Sequence, residues 1–206
     1  MKRKLLIILI FSISLCFQTY AYEATEDNKY MLNFLLNQNI KAVVDANIEN
    51  FYNDFIIGKI EKTDNDWRYK REIVILKYLC EGSQFEYKLW EVDLSQIPEV
   101  STAYGALINK KAVCQGYAHA FAMLCDKCEI ECYILEGPDH MWNAVRLDDG
   151  NLYHVDTAYV ISEGKNDYYS NCNLNDEESK KLGYAHSVWY PEIVATGGIY
   201  NHLMYQ

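Results

Sequence analysis

Three residues whose types can act together in nucleophilic catalysis lie in the middle of the chain: Cys114, His140 and Asp156. A thiolate is a nucleophile, an imidazole can take up and return a proton, and a carboxylate can orient the imidazole. The separations, 26 residues from Cys114 to His140 and 16 from His140 to Asp156, fit one helix, a connecting strand and a two-stranded hairpin. This pattern indicates acyl transfer, in which the thiolate attacks an amide carbonyl and a thioester forms.

Each of these residues also has an ordinary structural explanation. Cys114 could be a small core residue, His140 a solvated loop residue and Asp156 an edge residue that faces water. Their placement favours the functional interpretation. Cys114 is predicted to begin a helix, where free N–H groups and the helix dipole favour a thiolate and where its own N–H could bind an oxyanion. His140 and Asp156 are predicted to lie on the two adjacent strands of a hairpin.

The hydrophobic pattern predicts the elements that would hold these residues. The predicted helices cover 26–57, 66–81, a short helix or turn at 101–107, Cys114–Cys128, and Asp176–Leu182 with Asn175 as its cap. The predicted strands cover Ile130–Glu136, His140–Leu147 and Leu152–Ala158, with Asp148-Asp149-Gly150 as the hairpin turn and mostly loop after Val160. This order predicts an α+β fold in which the nucleophile helix packs on an antiparallel sheet, preceded by N-terminal helices.

The first 21 residues have the features of a secretory signal peptide. Basic residues at 2–4 precede the apolar run Leu5–Phe17, and cleavage is predicted near Ala21. The apolar run is shorter than the roughly 20 residues that span a bilayer, so no membrane span is expected after cleavage. A lipid anchor at Cys16 is disfavoured because Leu15 stands where a small residue is needed. The predicted location is therefore secreted or cell-envelope.

The composition is that of a globular chain, with 50% hydrophobic residues and only 3 Pro among 206 residues. We expect a single domain over 22–206, with a helical part at about 22–100, a catalytic core at about 101–160 and a tail at 161–206. The formal net charge is −10, and it becomes −13 without the leader. An acidic surface repels phosphate backbones, so nucleic acid is a poor candidate partner.

Six cysteines remain after the leader is removed. A zinc site could be suggested by the spacing of Cys125, Cys128 and Cys132. A structural zinc site needs further ligands at set spacing, however, and Cys80 and Cys172 are distant in sequence. We therefore predict no metal and no cofactor. The sequence leaves open which of the five cysteines other than Cys114 form disulfides.

The sequence around the three candidate residues resembles the active-site segments of the bacterial transglutaminase-like domain. The matching segments are Ala103–Leu107, Lys111–Ala118, Glu129–Tyr133, His140–Val145 and Tyr153–Thr157, with a weaker likeness at Leu182-Gly183-Tyr184, His186, Trp189 and Pro191. The resemblance implies a papain-like core with Cys114, His140 and Asp156 as the catalytic triad. Two departures stand out: Glu129 where relatives often have glycine, and Ala158-Tyr159-Val160 where many have an aromatic–acidic pair.

Four further residues are candidates for the cleft or for supporting the triad. Tyr104 and Gln115 lie close to Cys114 in sequence, although Tyr104 is better explained by packing. Trp142 is expected at the interface between helix and sheet. His154 should share a strand face with Asp156.

The sequence leaves two functions open. The first is a secreted enzyme that acts on protein or peptide amides, with water or an amine resolving the thioester. The second is a binding module on the same fold, for cell-wall or surface interaction. The oligomeric state is unknown.

Overall fold

The computed structural model describes residues 38–87, 97–137, 139–162, 172–183 and 192–203. The predicted leader with Cys16 lies outside these residues, as do residues 26–37 of the first predicted helix and Tyr184, His186, Trp189 and Pro191 of the tail. None of the described helices has the length and apolar character that crossing a membrane requires.

Seven α-helices are formed by the described residues, and a 3-10 turn at Pro98–Ser101 precedes the third. The helices are α1 (Gln38–Phe55), α2 (Trp67–Cys80), α3 (Ala103–Leu107), α4 (Cys114–Lys127), α5 (Thr157–Ser162), α6 (Asp176–Lys181) and α7 (Ile199–Leu203). The predicted α2, α4 and α6 are confirmed within one or two residues at each end. The Asn175 cap is confirmed too, because its side chain accepts from the Glu178 N–H while Glu178 reaches back to the Asn175 N–H.

The strands form two sheets. They are β1 (Gln84–Phe85), β2 (Lys111–Ala112), β3 (Cys132–Glu136), β4 (Met141–Arg146), β5 (Leu152–Val155) and β6 (Cys172–Leu174). The short strands β1 and β2 pair in parallel, and β3-β4-β5-β6 form an antiparallel sheet in that order. The α+β prediction is therefore confirmed, as is the hairpin turn between β4 and β5.

Helix α4 packs on one face of the four-stranded sheet because its apolar residues recur at helical spacing. Tyr117, Phe121 and Cys125 are fully buried on it, in one core with Val145 and Tyr153 of the sheet. Helices α1 and α2 contribute to the same core from the other side of α4. We call this the helix face of the sheet.

The opposite face of the sheet is covered by a second, smaller apolar cluster. Leu135, Trp142, Ala144 and Leu152 of the strands pack there against two residues near the chain end, Ile193 and Ala195. We call this the outer face. Both faces of the sheet are therefore buried, because the strands carry apolar side chains on both sides.

Two sequence predictions are corrected. The third predicted strand was expected to reach Ala158, but β5 ends at Val155, and α5 begins at Thr157. The region after Val160 was expected to be mostly loop, yet β6 adds a fourth strand at the edge of the sheet.

Candidate active site

Cys114 is the first residue of α4, at a tight junction between strand and helix. Val113 precedes it in an extended conformation, and its N–H donates to the Val100 carbonyl at 3.0 Å. Gly116 allows α4 to pass close to that backbone, because a Cβ there would lie 2.5 Å from the Val100 oxygen. The thiol is half-buried. The junction fixes Cys114 at the helix N-terminus, where the dipole favours negative charge.

His140 and Asp156 lie in direct contact at one end of the sheet. His140 Nε2 is 2.7 Å from Asp156 Oδ2. Asp156 is 3% exposed, and its second oxygen accepts from the Tyr159 N–H at 3.0 Å. Asp156 therefore caps the N-terminus of α5 and at the same time holds His140. Because the residue serves as a helix cap, strand β5 ends one residue earlier.

His140 also hydrogen-bonds with the Cys114 side chain. Because Nε2 faces Asp156, Nδ1 is the ring nitrogen left for the thiol. Burial lowers the pKa of His140, but hydrogen bonds and charges from Asp156 and Cys114 outweigh it and raise this pKa to about 10. The arrangement therefore favours the charged form of His140. The structure brings together the three residues that the sequence predicted to act together.

Asn143 links the strand that follows His140 to the helix that begins with Cys114. Its Nδ2 donates to the Ala118 carbonyl of α4 at 3.1 Å and to the Tyr133 carbonyl of β3 at 3.3 Å. The side chain is almost fully buried. Asn143 therefore fixes the helix against the sheet, and with it the relative position of Cys114 and His140.

A comparison with known protein families identifies the domain. A family model of the transglutaminase-like superfamily matches residues 59–157, a span that contains Cys114, His140 and Asp156. The chain carries a transglutaminase-like domain. A solved structure described as "Crystal structure of a TGase" aligns with 15% identity and a TM-score of 0.46. That alignment covers 78% of this chain and 42% of the solved one. No curated protein matches the sequence significantly.

Trp142 lies on the outer face of the sheet in the transglutaminase-like domain, so the prediction that it packs between helix and sheet is wrong. Its ring stacks on that of His140, with centroids 5.9 Å apart and planes 15° from parallel. Its Nε1 donates to His154 Nδ1 at 3.1 Å. His154, the predicted neighbour of Asp156, also contacts Asp176 through Nε2 at 2.8 Å.

The other predicted cleft residues have different surroundings. Tyr104 lies on α3 and packs, partly buried, against the main core, in agreement with the packing interpretation. Gln115 is the second residue of α4 and is half-buried, next to Cys114. Burial lowers the pKa of His119, one turn further along the helix.

Four of the other thiols differ from Cys114 because burial raises their pKa. None of the six described cysteines forms a disulfide. Burial raises the pKa of Cys80 and of Cys128 to about 12, and it raises those of Cys125 and Cys172 well above the ordinary value. Among the residues that the structure describes, no group of three or more His, Cys, Asp or Glu side chains converges as a metal ion would require.

Three contributors to the site were not found from the sequence. The Tyr159 N–H was missed because the segment after Asp156 was predicted as strand, although Asp followed by Thr is a plausible helix cap. Asn143 lies within the matching segment His140–Val145, but the sequence does not indicate its buried hydrogen bonds. Asp176 lies 36 residues beyond His140, and only the predicted start of α6 gave a hint of its position.

Proposed function

We propose that this chain is a secreted cysteine enzyme that acts on protein or peptide amides through a thioester at Cys114. The observation that supports it most is the contact of His140 with both the Cys114 thiol and the Asp156 carboxylate. A buried carboxylate, an imidazole and a thiol in series are the groups that such chemistry needs. Membership of the transglutaminase-like superfamily agrees with this assignment.

In the first half of the reaction the Cys114 thiolate attacks the amide carbonyl carbon, and the carbonyl oxygen becomes an oxyanion. The N–H of Cys114 at the start of α4 is the candidate donor to this oxyanion. The C–N bond then breaks while the His140 imidazolium gives its proton to the leaving amine. The acyl group remains on Cys114 as a thioester.

In the second half water or an amine attacks the thioester carbonyl. His140, now neutral, takes the proton of the attacking group, and the C–S bond breaks. Water yields a carboxylic acid, and an amine yields a new amide. In both cases the thiolate and the imidazolium are restored. Asp156 keeps the ring oriented and stabilises its charge throughout.

The substrate and the place of action are part of the proposal. The leader at 1–21 would direct the domain at 22–206 out of the cytoplasm, where proteins and cell-wall peptides offer amides. This is tested by N-terminal sequencing of the exported protein, which should begin near Tyr22. A protein that retains residues 1–21 and stays in the cytoplasm would contradict it.

The enzymatic claim is tested by alkylating the protein with iodoacetamide at neutral pH and mapping the modified cysteine. Cys114 should react faster than the buried thiols by orders of magnitude, and His140→Ala should reduce its rate to that of an ordinary thiol. If Cys114 is no faster than an ordinary thiol, the domain is a binding module instead.

The acceptor is decided by a second experiment with a glutamine-containing peptide library, with and without a labelled amine. Incorporation of label means amide exchange, new peptide termini mean hydrolysis of the backbone, and a gain of about one dalton means deamidation, because thioester hydrolysis turns an amide into an acid. Cys114→Ala is the control and should abolish all three products.

A further inference from the structure

A buried chain of polar groups runs along the outer face of the sheet and ends at His140. Asp176 Oδ1 contacts His154 Nε2 at 2.8 Å, and the Trp142 indole N–H donates to His154 Nδ1 at 3.1 Å. The indole then stacks on the His140 ring. Trp142 and His154 are each only 2% exposed. The chain therefore connects the start of α6 to the histidine of the candidate site.

Only one assignment of donors and acceptors satisfies both hydrogen bonds of His154. An indole nitrogen can only donate, so His154 Nδ1 must accept and carries no proton. The ring proton of His154 then lies on Nε2 and is donated to Asp176. A neutral His154 in this one tautomer satisfies both of its nitrogens, whereas an imidazolium would place an N–H against the indole N–H.

The other neighbours of Trp142 on the outer face are apolar, among them Leu135, Ala144 and Ile193. Apolar side chains alone could therefore fill the space that His154 occupies. A buried histidine costs free energy unless both nitrogens are paired. The pairing fixes the tilt of the indole ring, which an apolar neighbour would leave less defined. The polar chain therefore adds orientation rather than burial.

The far end of the chain is well anchored. Asp176 is the first residue of α6, its N–H donates to the Ala195 carbonyl at 2.9 Å, and the capping box of Asn175 and Glu178 closes the same helix turn. The backbone that carries the carboxylate is therefore fixed, although the side chain is 38% exposed.

The near end of the chain is a ring that needs support. His140 precedes β4, and its side chain is 30% exposed. Asp156 and Cys114 hold the two ring nitrogens, and the remaining motion of the ring is a rotation about the line that joins these two contacts. The stacked indole restricts this rotation, and an aromatic face next to an imidazolium is electrostatically favourable.

We propose that Asp176 and His154 are positioning residues, which hold Trp142 against the His140 ring and so keep His140 aligned with Cys114. This inference rests on the proposed function. It assigns a role to α6 and to the outer face, which lie away from the thiol.

The test compares folded variants by the rate of Cys114 alkylation between pH 5 and pH 9. His154→Phe keeps a ring but removes both nitrogens, and Asp176→Ala removes the anchor. Each should reduce the rate at pH 6 about tenfold and steepen its dependence on pH, because a misaligned imidazolium no longer stabilises the thiolate. Asp176→Asn keeps an acceptor oxygen and should recover most of the rate. Glu177→Ala, an exposed change in the same helix turn, is the matched control.

A second measurement addresses the tautomer directly. In protein labelled with ¹⁵N-histidine, the signals that disappear in His154→Phe should be those of a neutral ring with its proton on Nε2 at pH 7. A proton on Nδ1, or a charged His154, would overturn the proposal. So would folded His154→Phe and Asp176→Ala proteins with the wild-type rate and pH profile.

The variant His140→Ala separates this failure from failure of the proposed function. If His140→Ala reduces the rate while the His154 and Asp176 variants do not, only the positioning role is wrong. If His140→Ala also leaves the rate unchanged, the proposed enzyme chemistry is wrong, and the positioning role with it.

Discussion

The two ends of helix α4 are built in different ways. At the N-terminus Val113 offers no side-chain cap, and Cys114 meets the His140 ring. At the C-terminus the chain closes in a Schellman motif, in which Glu129 N–H donates to the Asp126 carbonyl at 3.0 Å and Ile130 N–H to the Cys125 carbonyl at 2.9 Å. The helix thus begins at the candidate nucleophile and ends in a turn closed by backbone hydrogen bonds.

The C-terminal end is further secured by buried groups from α2. Arg71 is 3% exposed and donates to the Cys128 carbonyl at 3.0 Å and to the Ile60 carbonyl at 2.7 Å. Glu72, fully buried, accepts from Asn173 Nδ2 at 3.1 Å, and its Oε1 has no hydrogen-bond partner among the residues that the structure describes. Burial raises the pKa of Glu72 to about 8, since the hydrogen bond from Asn173 compensates only in part.

Under the proposed function, reactivity and stability are placed at opposite ends of one helix. Changes at the N-terminal end should alter the chemistry of Cys114 with little effect on the fold. Changes at the C-terminal end should alter the free energy of unfolding with little effect on Cys114.

The largest expected effect is in Asp156→Asn. The amide can still cap α5, so the fold should survive, but it no longer stabilises a charged His140. At pH 6 an ordinary thiol is roughly 0.3% thiolate, so the alkylation rate of Cys114 should fall by about 300-fold. Thermal unfolding of the same sample is the control. A wild-type alkylation rate in the folded variant would show that Asp156 does not keep His140 charged at the N-terminal end of α4.

The next effect is the pH dependence caused by Glu72. Because folding raises its pKa from the ordinary 4.5 to about 8, the folded chain holds an extra proton between these pH values. Its contribution to stability is complete below pH 4.5 and is lost as pH rises towards 8. Glu72→Gln should therefore gain about 3 kcal/mol relative to wild type between pH 5 and pH 8.

Denaturant unfolding of both proteins at several pH values measures this difference. A difference in free energy that does not change with pH would show that Glu72 is ionised in the folded chain. The alkylation rate of Cys114 should be the same in both proteins, since the change lies away from the N-terminal end of α4.

Arg71→Met should cost about 2 kcal/mol in the free energy of unfolding. The methionine keeps much of the apolar stem, but the Cys128 and Ile60 carbonyls lose their buried donor. Denaturant unfolding is the measurement, and the alkylation rate of Cys114 should remain that of the wild type. A loss of reactivity as large as the loss of stability would mean that the two ends of α4 are not independent.

The smallest effect is expected for Glu129→Gly. Glu129 has a positive φ of 60°, the left-handed conformation that costs an L-residue about 1 kcal/mol and glycine almost nothing. The variant should gain about that amount in stability. Glu129→Gln is the control, because it also loses the ion pair with Lys62 but keeps the strain. If glycine and glutamine variants are equally stable, the strain is absent.

Much of the fold followed from local patterns in the sequence. Helix α4 was predictable because its buried residues recur at helical spacing, and the β4–β5 hairpin because a Gly-containing turn separates two apolar runs. Glu129 stood out against the glycine of related sequences, and its positive φ gives the physical reason. The family resemblance itself is confirmed by the family model.

The rest depends on contacts that sequence patterns do not specify. Both faces of the sheet are apolar, so alternation could not tell that Trp142 faces away from α4. The end of β5 is set by Asp156, whose side chain competes with strand pairing by capping α5. Strand β6 has only three residues, and its pairing with β5 depends on tertiary structure. The contact between Asp176 and His154 also depends on tertiary structure.

The most direct test of the central claim is the pH profile of Cys114 alkylation in the unmodified protein, followed by mass spectrometry of the labelled peptide. Because hydrogen bonds and charges from Asp156 and Cys114 raise the pKa of His140 to about 10, His140 should stay charged through neutral pH. A charged imidazole beside the sulfur favours the thiolate. The rate should therefore be nearly constant from pH 6 to pH 8. A rate that rises about tenfold per pH unit over this range, as for an ordinary thiol, would contradict the account.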